Sequence, residues 1–279
     1  LRPFGHVAAE LIADTAIQEN ASKADEALNR NPVLDGSYRL INDQFAAFSC
    51  SHVVSPDNIL LKCVSLGPTR RKLDFRHANR TTDAIVDELG QILYRTMKSV
   101  PYGGIVVFLP SYSYEAHIVR RWKQQGLWKD MQRWATVFRE PKNSRDVDRT
   151  LKDYTACASK GALLLSVIGG KMSEGINFAD DMARCVIIVG LPYPDITDPE
   201  LQEKMAALDR SPSSGLTGKS YYQNLCMRAV TQSVGRAIRH ANDYAAIMLL
   251  DERYSTDSRL WKALPAWLTS SGKSSSSFP

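Results

Sequence analysis

The spacing of apolar and polar positions changes character near residue 100. Before that point it predicts a moderately amphipathic helix over residues 6–19 and a polar loop over 20–37, punctuated by Asn-Pro and Asp-Gly. Short strands are expected over 38–41, 46–54 and 59–66. The basic run Thr69-Arg70-Arg71-Lys72 follows Gly67-Pro68 and reads as a turn. Ile85, Leu89, Ile92, Leu93 and Met97 then recur at helical spacing over 82–100. That helix is expected to end before Pro101, because the residue preceding a proline is pushed out of the α region.

Beyond residue 100, buried runs and helices alternate. GGIVVFLPSY, ALLLSVIGG, CVIIVGLPYP and AAIMLLDERY are continuous apolar runs bounded by glycine, proline or charge. Between them lie a helix reaching about Gln125, a short strand over 136–138, and helices over 146–157, 198–208 and 221–240, with a Ser/Pro/Gly loop over 210–220. Continuous apolar strands separated by helices predict an α/β fold with a parallel sheet covered on both faces. The tail SSGKSSSSFP is of low complexity and reads as disordered.

Composition narrows the classes. The chain has 279 residues, 44% hydrophobic and 23% charged, which is ordinary for a globular protein. Its net charge of +5 is compatible with a polyanionic partner without demanding one. The five cysteines form no CxxC pair, and Cys185 lies within an apolar run, so a reducing compartment fits better than a disulfide framework. The five histidines lack zinc-ligand spacing, and no metal site is predicted within the chain. No apolar run is long enough for a membrane helix. The start, LRPFGHVAAELI, has no initiator Met and no signal architecture, and reads like the interior of a longer protein.

Three stretches carry candidate chemistry. On a helix over QSVGRAIRH, residues 232–240, Gln232, Arg236 and Arg239 fall on one side, with Met227, Val230, Val234 and Ile238 on the other. Two fork-shaped guanidiniums on adjacent turns suit a polyphosphate, and Gly235 leaves room for close approach; a solvated basic face is the plain alternative. In GGKMSEGINF a loop with Lys171, Ser173, Glu174, Gly175 and Asn177 follows a buried strand, at the carboxyl end where open α/β sheets bind ligands. VFLPSYSY places Ser111, Tyr112 and Tyr114 at another strand end. There the hydroxyls and aromatics either hold a nucleic-acid backbone and stack on bases, or form half-buried packing at a helix start.

In this order the three stretches resemble motifs IV, V and VI of superfamily 2 helicases, and GKMSEGINF with GLPYP is similar to the iron–sulfur DNA helicases related to XPD. LQEKMAALD, NLCMRAVTQSVGRAIRH and LLDERY look most like the CHL/ChlR sister-chromatid-cohesion branch, the likeness covering about residues 48–268. The resemblance implies a RecA-like second motor domain over 101–268, the end of a first motor domain and a link over 1–100, and a disordered tail over 269–279. It implies Gln232, Arg236 and Arg239 as catalytic residues, the arginines facing the γ-phosphate. Glu174, Gly175 and Asn177 would bind nucleotide, and Ser111, Tyr112, Lys171 and Ser173 would contact nucleic acid. ATP and magnesium would be shared with a first domain carrying the Walker A loop, the DEAH-type box and the 4Fe-4S cluster, none of which this chain contains.

Expected partners are single-stranded or forked DNA, the N-terminal helicase domain in cis, and cohesion or replication-fork proteins; the expected setting is the nucleus, with 5′-to-3′ translocation and no membrane. Two look-alikes are read as structural: GLTGKS lacks the Walker A glycine at Ser213, and Asp251-Glu252 ends the last strand. Asp25-Glu26-Ala27 follows no apolar strand. The chain by itself is expected to be inactive. The competing readings are a degenerate, non-catalytic helicase half that docks protein or DNA, and a dinucleotide fold using Gly169-Gly170, against which the missing GxGxxG pattern argues.

Overall fold

A computed structural model describes residues 36–42, 45–50, 53–178, 180–210 and 216–270. In chain order the strands are β1 (Gly36–Asn42), β2 (Phe45–Cys50), β3 (Ile59–Val64), β4 (Gly104–Leu109), β5 (Thr136–Arg139), β6 (Ala162–Val167), β7 (Cys185–Val189) and β8 (Ala245–Leu250). The helices are α1 (Asp83–Ser99), α2 (Tyr112–Gln124), α3 (Leu127–Gln132), α4 (Val147–Ala158), α5 (Lys171–Gly175), α6 (Pro199–Arg210) and α7 (Gly218–Gly235), followed by three short helices, α8 (Arg253–Thr256), α9 (Ser258–Lys262) and α10 (Ala266–Thr269). The expected helix over 6–19, most of the loop over 20–37, Asp25-Glu26 and nearly all of the tail lie outside the described residues.

Two compact units emerge. The smaller draws on Leu1–His52 and Pro194–Asn224 and contains the antiparallel β1–β2 hairpin and α6. The larger, Val53–Tyr193 with Leu225–Pro279, contains a six-stranded sheet in the order β3-β8-β7-β4-β6-β5, every pair parallel.

The apolar runs explain that sheet. Every residue of β4, β6 and β7 is buried. Successive side chains leave a strand on opposite faces, so a run apolar at every position needs a core on both sides. On one face Val106, Phe108, Leu164, Val186, Ile188 and Ile247 pack with α7 (Val230, Val234) and with Tyr154 of α4. On the other, Ile105, Val107, Leu163, Leu165 and Ile187 meet α1 (Leu89, Ile92, Leu93) and α2 (Ile118, Trp122). The helical spacing expected from Ile85 to Met97 is the buried stripe of α1, which stops at Ser99 before Pro101. The boundary expected at residue 100 falls inside the larger unit, since β3 pairs along its length with β8 and α1 fills one of the two cores. Pairing between strands so remote in sequence leaves no trace in local periodicity.

Gly104, at the start of β4, lies against the Met182 carbonyl and the Tyr154 hydroxyl, and a methyl group there would overlap both. Tyr154 donates to that same carbonyl at 2.5 Å. Gly104→Ala is therefore expected to lower stability by about 1–3 kcal/mol, the usual cost of forcing a carbon into a packed core. Chemical denaturation measures it, and an unchanged midpoint would show that the strand can shift at no cost.

Candidate functional site

The arginine-bearing segment departs from the expected helix. α7 ends at Gly235, and Arg236 to His240 run through a turn. Tertiary partners take the place of the helical bonds. The Arg236 carbonyl accepts from Phe178 N at 3.1 Å, and its guanidinium donates to the Ile176 carbonyl at 3.0 Å. Asp243, almost fully buried, accepts from Arg239 N at 3.3 Å and from Arg184 at 2.7 Å. Val234, Ala237 and Ile238 stay buried through the break, so the apolar spacing looks helical after the helix has stopped.

The expected convergence forms by this other route. Gln232, Gly235, Arg236 and Arg239 line an open pocket of about 530 Å³ together with Glu174 and Asn177. Arg239 donates to the Asn177 side-chain oxygen. A Cβ on Gly235 or on Gly175 would meet nothing within 4 Å. Burial first, and the neighbouring Arg239 charge second, pull the Arg236 guanidinium below its ordinary pKa, with Glu174 opposing. Two cations held side by side, with one carboxylate in the lining, favour an anion that bridges them.

Ser111 and Lys171 follow the carboxyl ends of β4 and β6, whose last residues, Leu109 and Val167, are paired. Ser111 caps α2, its hydroxyl accepting from Tyr114 N at 3.2 Å. Tyr112 is half-buried and donates to Glu140 at 3.0 Å; burial, then that carboxylate, push its phenol up to about 12. Tyr114 takes the packing alternative, buried at the start of α2. The stretch expected to be a loop contains the single turn of α5, entered through Gly169 at φ 75°. Lys171 is exposed and donates to the Ser144 hydroxyl. Ser173 points inward, buried and donating to the Gly170 carbonyl at 2.8 Å, so a nucleic-acid contact through its hydroxyl does not fit this arrangement. The look-alike Asp251 is fully buried and pairs with Arg253 at 2.8 Å.

One residue missed from the sequence organises this end of the sheet. Glu140, just past β5, is 6% exposed and accepts from Ser166 Oγ (2.7 Å), Val167 N (2.8 Å), Met172 N (3.0 Å) and Tyr112 OH. It thereby ties the start of α2 to the entry of α5, and Gly170 packs on its carboxylate, where a Cβ would not fit. The available signal was an acidic residue at a strand's carboxyl end, directly before Pro141.

The family model described as "Helicase C-terminal domain" matches residues 93–271. The chain is 42% identical over 265 residues to "ATP-dependent DNA helicase DDX11" of Danio rerio, covering 88% of this chain and 30% of that protein. It is 47% identical over 234 residues to the Mus musculus protein of the same name, covering 79% and 26%. It is 41% identical over 233 residues to "ATP-dependent DNA helicase CHL1" of Scheffersomyces stipitis, covering 80% and 28%. The chain thus spans under a third of the length of these relatives. Among solved structures, that of S. tokodaii Xpd4 shares the fold, with a TM-score of 0.50 and 19% identity over 78% of this chain and 38% of that one. The larger unit is accordingly RecA-like, and the chain belongs to the helicase C-terminal domain family.

Proposed function

We propose that this chain is the second motor domain of an ATP-dependent DNA helicase, coupling ATP hydrolysis to movement along single-stranded DNA. The observation that carries the reading is the meeting of Gln232, Arg236 and Arg239 with Glu174 and Asn177 around one open pocket. Phosphoryl transfer to water is catalysed mainly by positioning and by charge placed where the transferring group develops its own. Arg239 and Arg236 suit the γ-phosphate, Gln232 a water or phosphate oxygen beside it, and Glu174, Gly175 and Asn177 the rest of the nucleotide. The phosphate-binding loop and the magnesium carboxylate belong to a first motor domain outside this chain, as would any 4Fe-4S cluster.

Ser111, Tyr112 and Lys171, at neighbouring strand ends, suit the backbone of a DNA strand. Opening and closing the cleft with the nucleotide state would move one domain along the strand. Translocation 5′ to 3′ on forked DNA, a nuclear setting, and work beside cohesion or replication-fork proteins complete the proposal, supported by likeness to the DDX11 and CHL1 helicases.

The test compares the full-length gene product with the 279-residue chain. Full-length protein is expected to hydrolyse ATP with stimulation by single-stranded DNA, whereas the chain alone shows background turnover. A full-length protein without ATPase activity would favour the non-catalytic docking role. Turnover by the chain itself, abolished by Arg239→Ala, would overturn the shared site.

A further inference from the structure

We propose that the turn after β3 builds a second phosphate site, which holds the backbone of a single-stranded nucleic acid at the β3 edge of the sheet; this rests on the DNA-handling reading above. An open cavity of about 520 Å³ there is lined by Arg70, Arg71 and Lys72, with Asp74, Asn79 and Thr82 around it. None of the three cations has a carboxylate partner among the described residues. The nearby carboxylates are already engaged. Asp74 is held by Arg76 (3.0 Å) and Asn79 (2.7 Å), and Asp83 by Arg121 (2.6 Å). Thr82 stands at the N-cap of the 17-residue helix α1, but its hydroxyl donates to the Asn79 carbonyl instead of capping. The positive end of that helix therefore adds to the field of the three side chains.

The turn is built to hold this arrangement. Arg70 N donates to the Gly67 carbonyl (2.9 Å) and Gly67 N to the Arg71 carbonyl (2.8 Å), with Leu66 bridged to Lys72. In such a loop the left-handed position usually falls to glycine or asparagine, yet Arg70 occupies it at φ 63°. The buried carboxylate of Glu88 clamps the turn from α1, accepting from the Thr69 hydroxyl and from its N–H. A strained arginine on a clamped turn is a reason to look for a ligand.

The lining selects the ligand's class. Ile85 is its one apolar member, which offers no slot for a base or an acyl chain. What remains is recognition of phosphate on an extended polyanion. The turn follows the carboxyl end of β3, on the same edge as Ser111 and Lys171, with β8 and β7 between β3 and β4. Three strand spacings to Ser111 amount to about 14 Å and four to Lys171 to about 19 Å, so one strand of nucleic acid crossing that edge reaches all of them.

Fluorescent dT20 is titrated with the 279-residue chain over a range of salt. Removing three phosphate contacts flattens the slope of log K against log salt by about 2, at about 0.7 per contact on a single strand. The combined Arg70→Gly, Arg71→Ala, Lys72→Ala variant is expected to show that change and at least a tenfold loss near 0.1 M salt. Arg70→Gly alone should bind more weakly while melting no lower than the parent, because it relieves the left-handed residue. Alanine at Lys129, Lys152 and Lys160, three exposed lysines elsewhere, removes the same charge and should leave the slope in place. Pyrophosphate at matched ionic strength should displace dT20 no better than chloride.

An unchanged slope in the triple variant, an equal loss in the lysine control, or strong competition by pyrophosphate overturns the pocket while leaving the DNA reading intact. A parent chain that binds no dT20 even at low salt removes both.

Discussion

Alanine in place of Arg239 is expected to cut DNA-stimulated ATP turnover of the full-length protein by about a thousandfold or more, with almost no change in melting temperature. Arginine fingers contribute about three to five powers of ten in rate, and the lower end corresponds to roughly 4 kcal/mol of transition-state stabilisation. The fold should tolerate the change because the guanidinium is exposed and bonds only Asn177 among the described residues, while the backbone at this position is held separately by buried Asp243. Exposed substitutions of this kind usually shift stability by less than about 0.5 kcal/mol.

Arg236 should behave differently. Its side chain also anchors the Ile176 carbonyl, so Arg236→Ala loses rate and loosens the 176–178 segment together. Lysine at 239 should rescue poorly, since the planar fork is lost. Val234→Asp provides the contrast, placing an unpaired carboxylate at a position with no exposure. ATPase and melting are measured for all four variants in one background. Normal turnover by Arg239→Ala rejects the finger assignment, and melting like that of Val234→Asp makes Arg239 structural.

The second large effect is expected at Glu140. Alanine there strands Ser166 Oγ, Val167 N and Met172 N in a buried site, and frees the half-buried Tyr112 hydroxyl. A hydrogen bond to a charged group contributes about 1.5–3 kcal/mol, and each buried donor left alone costs about 1–3. Some donors will find water, so a loss of about 3–5 kcal/mol is expected. For a domain of this size that is roughly 6–20 °C in melting temperature. Glu140→Gln should fall between, because its amide group faces donors with donors of its own. DNA binding should weaken as well, since Lys171 enters α5 beside the residue Glu140 holds. Calorimetry of the three proteins decides the matter: an alanine variant melting with the parent would mean that the four donors are satisfied without the carboxylate.

These two positions mark where the sequence could and could not be read. The sheet was legible because β4, β6 and β7 are buried at every residue and, Ser166 apart, carry no polar side chain, the pattern of a doubly covered parallel strand. The stripe from Ile85 to Met97 likewise marked α1. The grouping of Gln232, Arg236 and Arg239 was expected on one helical face, yet the structure forms it across the helix end, with Gln232 inside α7 and both arginines beyond it. Periodicity reports burial, and Ala237 and Ile238 are buried whether or not the backbone stays helical. Glu140 and Asp243 escaped notice because a lone acidic residue in a loop carries no period. Glu140's donors are 26–32 positions away, and Arg184, which binds Asp243, is 59 away, all brought close only by the completed fold.

The parallel pairing of β3 with β8 has a consequence for how the molecule comes into being. Residues 59–64 find their partner at 245–250, so the sheet's first strand is made long before the last one exists. During synthesis an apolar segment including Leu61, Cys63 and Val64 must wait, its backbone unpaired, until residues 245–250 have been made. Pairings of such long range make folding slow and leave partly built species prone to association. A ribosome that stalls between residues 64 and 245 therefore releases an unpaired strand, so the vulnerable period of this protein's life is its own translation.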